Sequence, residues 1–120
     1  MTVRAIRGAV QVEADDRDAI LEATAELVTA VMNRNDLTPD DVISVLFTVT
    51  QDLTAEFPAL AARKIGFHAV PLMCATEMNV PHALPRVLRL MAHVDVETPR
   101  AEIQHVYLRG AVALRRDIAQ

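Results

Sequence analysis

The chain has 120 residues. A single domain of this size buries roughly 65 % of the surface that its unfolded chain exposes. Hydrophobic residues make up 52 % of the chain and charged residues 23 %, a balance that excludes an intrinsically disordered protein. The net charge of −4 argues against sequence-independent binding to nucleic acid, which needs a positive field facing the phosphates.

Two features of the composition stand out. The chain has three Phe and one Tyr as its only aromatic residues, so we expect an aliphatic core. The twelve basic residues are eleven arginines and Lys64. Arginine supplies a planar, permanently charged fork that suits carboxylates and phosphates better than lysine does. The sequence therefore raises the question of what these arginines bind in an acidic protein.

The first half of the chain predicts two strands around a helix. Residues 3–12 are rich in Val, Ile and Ala and favour a strand. Over residues 17–33 the apolar positions recur at spacings of 3, 4 and 7, which predicts a helix of about four turns. Residues 38–41 combine a capping Thr with a Pro at the first helical position, which predicts a short helical turn. Residues 42–50 are β-branched and apolar on nearly both faces, as is typical of a central strand.

The middle of the chain predicts a loop, a second helix and a third strand. A loop at 52–56 leads into residues 57–59, which open a helix that Gly66 ends. Residues 68–75 favour a strand, but Pro71 cannot donate to a β-ladder and so indicates a sheet edge or a bulge.

The last third predicts two more strands. Apolar residues alternate strictly over 86–96, which favours a strand with Arg89 on the face opposite the main apolar row. A helical turn is expected over 98–103, and residues 105–109 alternate again. We expect the last residues, from about 111 to 120, to form a flexible tail.

These elements predict one α+β domain over residues 1–120, with a mixed sheet of four or five strands and two main helices. No linker, repeat or low-complexity segment divides the chain. Two helices can cover only one face of such a sheet, so we expect the other face to pack against copies of the same chain.

The sequence also predicts where the protein resides. Cys74 is the only cysteine, which allows no intrachain disulfide and favours a reducing compartment. The first residues lack the pattern of a signal peptide, and no stretch approaches the roughly 20 apolar residues of a membrane span. We therefore expect a soluble cytoplasmic protein with neither a membrane nor a nucleic acid as partner.

The sequence carries few of the common catalytic motifs. The three glycines are too far apart for a phosphate-binding loop. The four histidines show no metal-ligand spacing, and one cysteine cannot build a thiolate cluster, so we expect no metal site. Cys74 is best interpreted as a small buried hydrophobe, although a Cys–His nucleophilic pair stays open as an alternative.

What remains is a set of arginines in otherwise apolar segments. Arg7 lies in the first predicted strand, Arg89 lies between two leucines in a later strand, and Arg63 lies on the short helix. A charge held among apolar neighbours must find a counter-charge. Internal salt bridges to the sixteen acids are the simpler interpretation, and binding of an anionic ligand is the functional one. Glu77 is a candidate partner under either interpretation, and Tyr107 offers a phenolic donor on a strand.

Four segments together resemble a known enzyme family. They are RAIRGA at residues 4–9, FPALAAR at 57–63, VPLMCATEM at 70–78 and HVYL at 105–108. With Arg89 between the last two, they are similar in order and spacing to the monofunctional chorismate mutases of the AroH class. The similarity covers nearly the whole chain, from about residue 3 to residue 117.

That resemblance implies a fold, a reaction and a set of roles. It implies a homotrimer with a barrel-like core, with active sites in clefts between subunits, that rearranges chorismate to prephenate without cofactor or metal. In this family pattern, Arg7 and Tyr107 bind a substrate carboxylate, Arg89 donates to the ether oxygen and the side-chain carboxylate, and Glu77 accepts from the ring hydroxyl. The remaining implied substrate-binding positions are the main chain at Cys74, the apolar walls Phe57, Ala59, Met73 and Leu114, and the entrance residues Arg63 and Arg115.

The chain departs from the family pattern at two positions. Leu60 stands where a basic residue can lie at the cleft mouth, which puts one auxiliary electrostatic contact in doubt. Arg116 stands where a Pro often follows the preceding Arg, which alters the expected tail. Neither position belongs to the central set.

The chemistry of the residues agrees with this resemblance. A pericyclic shift breaks a C–O bond while it forms a C–C bond, and it needs no acid, base or nucleophile. The enzyme must hold a flexible dianion in a compact shape and stabilise negative charge on the ether oxygen. An arginine fixed on a strand suits the second task because its charge does not depend on pH.

Two other functions are consistent with the same residues. One is a non-catalytic trimeric module that binds a carboxylate metabolite, which would show binding without turnover. The other is an imine deaminase on a similar trimeric architecture, which would release ammonia from an imino acid. Loss of chorismate absorbance on mixing with the protein separates all three.

Overall fold

The computed structural model describes residues 2–114. Its regular elements, in chain order, are β1 (Val3–Gln11), α1 (Arg17–Arg34), a 3-10 turn (Pro39–Asp41), β2 (Val42–Val49), α2 (Pro58–Ala62) with a π-helical turn (Arg63–Phe67), β3 (Leu72–Thr76), β4 (Val87–Asp95), a 3-10 turn (Arg100–Glu102), β5 (Val106–Leu108) and a 3-10 helix (Arg109–Leu114). Arg115 and Arg116, for which the sequence suggests roles, lie outside the described residues. No helix among residues 2–114 is long and apolar enough to cross a membrane.

The five strands form one mixed sheet in the order β3-β2-β4-β1-β5. The two central pairings, β2 with β4 and β4 with β1, are antiparallel. The two outer pairings, β2 with β3 and β1 with β5, are parallel. The predicted α+β class, with a mixed sheet and two main helices, is therefore confirmed.

The first helix covers one face of this sheet. The buried side of α1 joins Ile6 and Val10 of β1 and Phe47 of β2 in one aliphatic cluster. Gly8 lets α1 approach closely, because a Cβ there would lie 3.1 Å from Leu27 Cδ1 and 3.3 Å from Val31 Cγ2. The cluster is the main core of the domain, and it is built almost entirely from aliphatic side chains, as the composition predicts.

The opposite face of the sheet, which we call the open face, carries no α-helix among the described residues. Side chains alternate between the two faces along each strand, and paired residues share a face. The registers therefore place on the open face Arg7, Leu46, Thr48, Met73, Arg89, Met91 and Tyr107. Leu46 is 37 % exposed and Met73 is 66 % exposed there. The expected uncovered face is thus present, with apolar side chains on it.

Three local expectations differ from the structure. The third strand begins at Leu72 rather than at 68, and it lies at the sheet edge, as Pro71 indicates. The fifth strand has only three residues, and Arg109 follows it with a positive φ of 55°. The sequence predicts a flexible tail from about residue 111, whereas the structure has a 3-10 helix up to Leu114. Ala111 is buried against Ala9, Val87 and Tyr107, and this packing orders the 3-10 helix at the margin of the open face.

Candidate active site

Three of the predicted site residues lie on adjacent strands of the open face. Ala9 of β1 pairs with Arg89 of β4 on one side and with Tyr107 of β5 on the other. Arg7 lies two residues before Ala9 and therefore on the same face. These three side chains line one hollow of about 270 Å³, which we call the arginine hollow. Its other lining residues are Gly8, Leu46, Thr48, Leu90 and Met91.

Arg89 is held at the centre of this hollow by the strand around it. Leu88 and Leu90 are buried in the core on the opposite face, so their packing fixes the backbone at residue 89. Arg89 Nε lies 3.1 Å from Glu77 Oε2. The Nε atom is buried, yet it makes no well-aligned hydrogen bond. The two side chains therefore form an ion pair by proximity alone.

Glu77 lies just beyond the end of β3. Its backbone N–H donates to the carbonyl oxygen of Val49 at 2.9 Å, which extends the pairing of β3 with β2 by one bond. Its carboxylate atom Oε2 accepts a 2.6 Å hydrogen bond from the hydroxyl of Thr48. Only 17 % of the Glu77 side chain is exposed, so the carboxylate is sheltered beside Arg89.

Arg7 and Tyr107 are positioned by the β1–β5 edge. The backbone N–H of Arg7 donates to His105 Nδ1 at 3.0 Å, one residue before β5 begins. The ring of Tyr107 is buried with Ala9 and Ala111. Arg7 also lines a neighbouring hollow of about 380 Å³ together with the side chains of Arg4, His93, Arg100 and His105. Cationic groups are thus concentrated on this part of an otherwise acidic protein.

A second group of predicted site residues lines a different hollow, of about 280 Å³, which we call the Phe57 hollow. It lies between the loop before α2 and the strand β3, and its lining includes Phe57, Pro58 and Cys74. The Phe57 ring is 69 % exposed. The two hollows share no lining residue, so a single chain holds two separate groups of site residues.

Two carboxylates hold the loop that leads to Phe57. Asp15 accepts hydrogen bonds from the hydroxyl and backbone N–H of Thr54, both at 2.7 Å, and from the N–H of Ala55 at 2.9 Å. The Thr54 hydroxyl is the main cause that lowers the pKa of the Asp15 carboxyl. The backbone N–H of Phe57, followed by Arg17, lowers the pKa of the Glu56 carboxyl. Both acids are therefore held in the charged form.

The remaining predicted residues occupy varied positions. Arg63 is exposed where α2 passes into the π-helical turn. Ala59 belongs to the main core and lines neither of these hollows. Cys74 pairs with Phe47, so its thiol lies on the helix-covered face, where it is half-buried and packs against the core. Leu114 packs against the cluster of Tyr107.

Comparison with known proteins identifies the family to which the chain belongs. A family model described as chorismate mutase type I matches residues 3–118. The chain belongs to the type I chorismate mutase family. The resemblance drawn from the four sequence segments is thereby confirmed. As a chorismate mutase, the protein is an isomerase of aromatic amino acid biosynthesis.

Individual chorismate mutases are similar along almost their whole length. The chain is 50 % identical over 117 residues to chorismate mutase AroH of Thermus thermophilus, covering 97 % of this chain and 96 % of that protein. It is 40 % identical over 120 residues to chorismate mutase AroH of Bacillus subtilis (strain 168), covering 99 % and 94 %. A solved chorismate mutase structure from Clostridium thermocellum superposes with a TM-score of 0.90 at 44 % identity, covering 92 % of this chain and 98 % of that one.

Sequence reasoning missed two residues that contact the site of this chorismate mutase. Thr48 donates to Glu77 from 29 residues away, and His105 accepts from the backbone of Arg7 across 98 residues. The strand β2 carries two hydroxyls, on Ser44 and Thr48, and no sequence pattern marks the one that reaches Glu77. His105 lies within the HVYL segment, but the sequence gives no sign that its ring reaches β1. Among residues 2–114, no group of three His, Cys, Asp or Glu side chains could hold a metal ion.

Proposed function

We propose that this chain rearranges chorismate to prephenate without a cofactor, in clefts that two copies of the chain build together. The observation that carries the proposal is the position of Arg89. It is fixed in the middle of a strand, beside Glu77, and it shares one hollow with Arg7 and Tyr107. Two guanidinium groups and a phenol around one hollow suit a small dianion with two carboxylates.

The proposed mechanism uses these side chains only for binding and electrostatics. Arg7 and Tyr107 bind one substrate carboxylate and hold the dianion in the compact shape that brings the reacting carbons together. Arg89 donates to the ether oxygen and to the side-chain carboxylate, and it stabilises the negative charge that develops as the C–O bond breaks. Glu77 accepts a hydrogen bond from the ring hydroxyl. No proton leaves the substrate in this scheme.

The proposed assembly is a homotrimer with a barrel-like core. It is supported by the open face, whose exposed Leu46 and Met73 are apolar and uncovered in one chain. It is also supported by the separation of the arginine hollow from the Phe57 hollow. In the trimer, a neighbouring copy brings its Phe57 group opposite the arginine hollow and so completes the cleft.

The other predicted site residues are assigned to the walls and the entrance of the same cleft. Phe57 and Met73 form apolar walls of the cleft, with Leu114 closing the side near Tyr107, and the main chain at Cys74 lies near the ring hydroxyl. Arg63 lies at the entrance, where its exposed guanidinium attracts the dianion, and Arg115 is assigned beside it from the family pattern. Ala59 shapes the wall only through the backbone of α2, because its side chain belongs to the core.

We place the enzyme in the cytoplasm, as a single chorismate mutase domain over residues 1–120. The lone Cys74, which allows no intrachain disulfide, supports this location. The substrate is a small soluble dianion, so the proposed function needs no membrane or nucleic acid.

The direct test is the loss of ultraviolet absorbance of chorismate on mixing with the purified protein, with prephenate identified as the product. Binding without turnover would favour the carboxylate-binding module, and ammonia released from an imino acid would favour the deaminase.

The shared cleft has its own test. Arg89→Ala and Arg63→Ala proteins are each assayed, then unfolded together, refolded and assayed again. Mixed trimers contain clefts in which both arginines are native, so activity should exceed that of either parent. Sedimentation measures the assembly, and a monomeric active enzyme would overturn the shared cleft.

A further inference from the structure

Thr48 is the polar residue through which β2 reaches the arginine hollow. It is half-buried on the open face, where it pairs with Arg89 on β4 and with Ala75 on β3. Its neighbours in sequence are Phe47, which is fully buried in the core, and Val49. The strand therefore fixes the hydroxyl between the two elements that carry the proposed catalytic charges.

The hydroxyl of Thr48 and the guanidinium of Arg89 both contact the same carboxylate oxygen of Glu77. Thr48 Oγ1 donates to Glu77 Oε2 at 2.6 Å, and Arg89 Nε lies 3.1 Å from the same oxygen. Of these two contacts, only the one from Thr48 is a well-aligned hydrogen bond. A hydroxyl rather than the neighbouring cation thus fixes the direction of the carboxylate.

The hydrogen bond from Thr48 to Glu77 becomes important when substrate is bound. In the proposed function, Arg89 donates to the ether oxygen, and its ion pair with Glu77 must weaken. A free carboxylate would follow the guanidinium and neutralise the charge that the ether oxygen needs. The Thr48 hydroxyl resists this movement because the β-branched side chain is stiff about χ1 and its strand is paired on both sides.

We propose that Thr48 is a positioning residue for the mutase reaction. Its hydroxyl holds the Glu77 carboxylate beside Arg89, so that Glu77 stays in place to bind the ring hydroxyl while Arg89 turns to the ether oxygen. The inference rests on the proposed function and adds to it a residue that the family pattern does not supply.

The test compares two substitutions at the same position. Thr48→Val keeps the shape of the side chain and removes the hydroxyl, whereas Thr48→Ser keeps the hydroxyl. We expect Thr48→Val to lower kcat/KM by about 10- to 100-fold, mainly through kcat, as for loss of a hydrogen bond to a charged group. Thr48→Ser should retain most of the activity. Thr29→Val makes the same chemical change at an exposed position of α1 and should have no effect.

A double-mutant cycle with Glu77→Ala shows whether Thr48 acts through Glu77. We expect Thr48→Val to cost nothing further in the Glu77→Ala protein, because the acceptor is gone. An equal loss in both backgrounds would overturn the proposal, as would full activity of Thr48→Val. Equally low activity of Thr48→Val and Thr48→Ser would show that only packing matters. If the wild-type protein fails to turn over chorismate, the proposed function fails as well, whereas an active wild type with a fully active Thr48→Val overturns this inference alone.

Discussion

Arg89→Ala removes the charge on which the proposed chemistry depends. The Arg89 side chain is 42 % exposed and lies on the open face, while its neighbours Leu88 and Leu90 remain in the core. Truncation at Cβ therefore removes no core contact. We expect the variant to fold and assemble like the wild-type protein, so that any loss of activity reflects the site itself.

Two electrostatic terms determine the rate of this variant. Loss of a preorganised donor to the ether oxygen costs about 3 kcal/mol in the transition state. Glu77 then remains in the site, where it accepts a hydrogen bond from Thr48 but has lost its counter-charge. This carboxylate repels the developing negative charge in both proteins, by on the order of 3 kcal/mol at an effective dielectric constant of about 20, but in the variant no guanidinium offsets the repulsion. The loss of the donor alone predicts that kcat falls by at least about 100-fold.

The second effect can be separated from the first. In the Arg89→Ala, Glu77→Gln protein the repulsion is absent, so we expect its kcat to be about 100-fold higher than that of Arg89→Ala. Arg89→Lys keeps a charge but loses the planar fork, and it should retain little activity. Arg34→Ala removes an exposed arginine at the end of α1 and serves as the matched control.

The assay is the initial rate of chorismate loss, with sedimentation and thermal unfolding run on each variant. An Arg89→Ala protein that keeps more than a tenth of the wild-type kcat would refute the assignment of the key charge. A double variant that is slower than Arg89→Ala would refute the repulsion argument. A fully active Arg89→Lys would show that net charge alone suffices.

Three further outcomes are expected. Glu77→Gln alone should keep substantial activity in the chorismate assay, because an acceptor survives; an inactive but folded protein would indicate proton chemistry instead. His105→Asn offers an oxygen near the position of Nδ1 and should keep the Arg7 backbone in place, whereas His105→Phe should lose about tenfold in kcat/KM; equal rates would contradict this. The folded-state pKa of Asp15 lies below its ordinary value, so its contribution to stability is present above about pH 4 and is lost as the pH falls further. Urea midpoints should therefore drop on acidification, less steeply in Asp15→Asn, and an unchanged slope would show that the hydrogen bonds from Thr54 do not stabilise the fold.

Much of the fold could be predicted because it depends on local periodicity. The alternation over 86–96 assigned β4 to a strand and Arg89 to the face opposite its apolar row, and both assignments are confirmed. Gly66, which was predicted to end the second helix, has a φ of 115° and interrupts the helical backbone in the turn that follows α2. The errors lie where long-range packing overrides local preference. Ala111 orders residues 109–114 because β5 brings it against Ala9, which no local pattern reveals.

The candidate site could likewise be predicted only in part from the sequence. The residue types could be chosen from the sequence, because arginines within apolar strands need a counter-charge. Their grouping could not, since Arg7, Arg89 and Tyr107 meet only through the strand order β4-β1-β5. Thr48 could not be assigned to the site from the sequence, because the role of a hydroxyl in a strand is not identifiable until its partner is known.

The sequence by itself determined most of the secondary structure, the aliphatic core and, through four short segments, the family of this acidic protein with eleven arginines. Those properties depend on residue type and on spacing within one element. The tertiary structure alone decided which face of the sheet stays open, which arginines share a hollow and that Glu77 is held by a hydroxyl beside Arg89. These depend on strand order and register, which join residues far apart in the chain, and net charge carries no information about them.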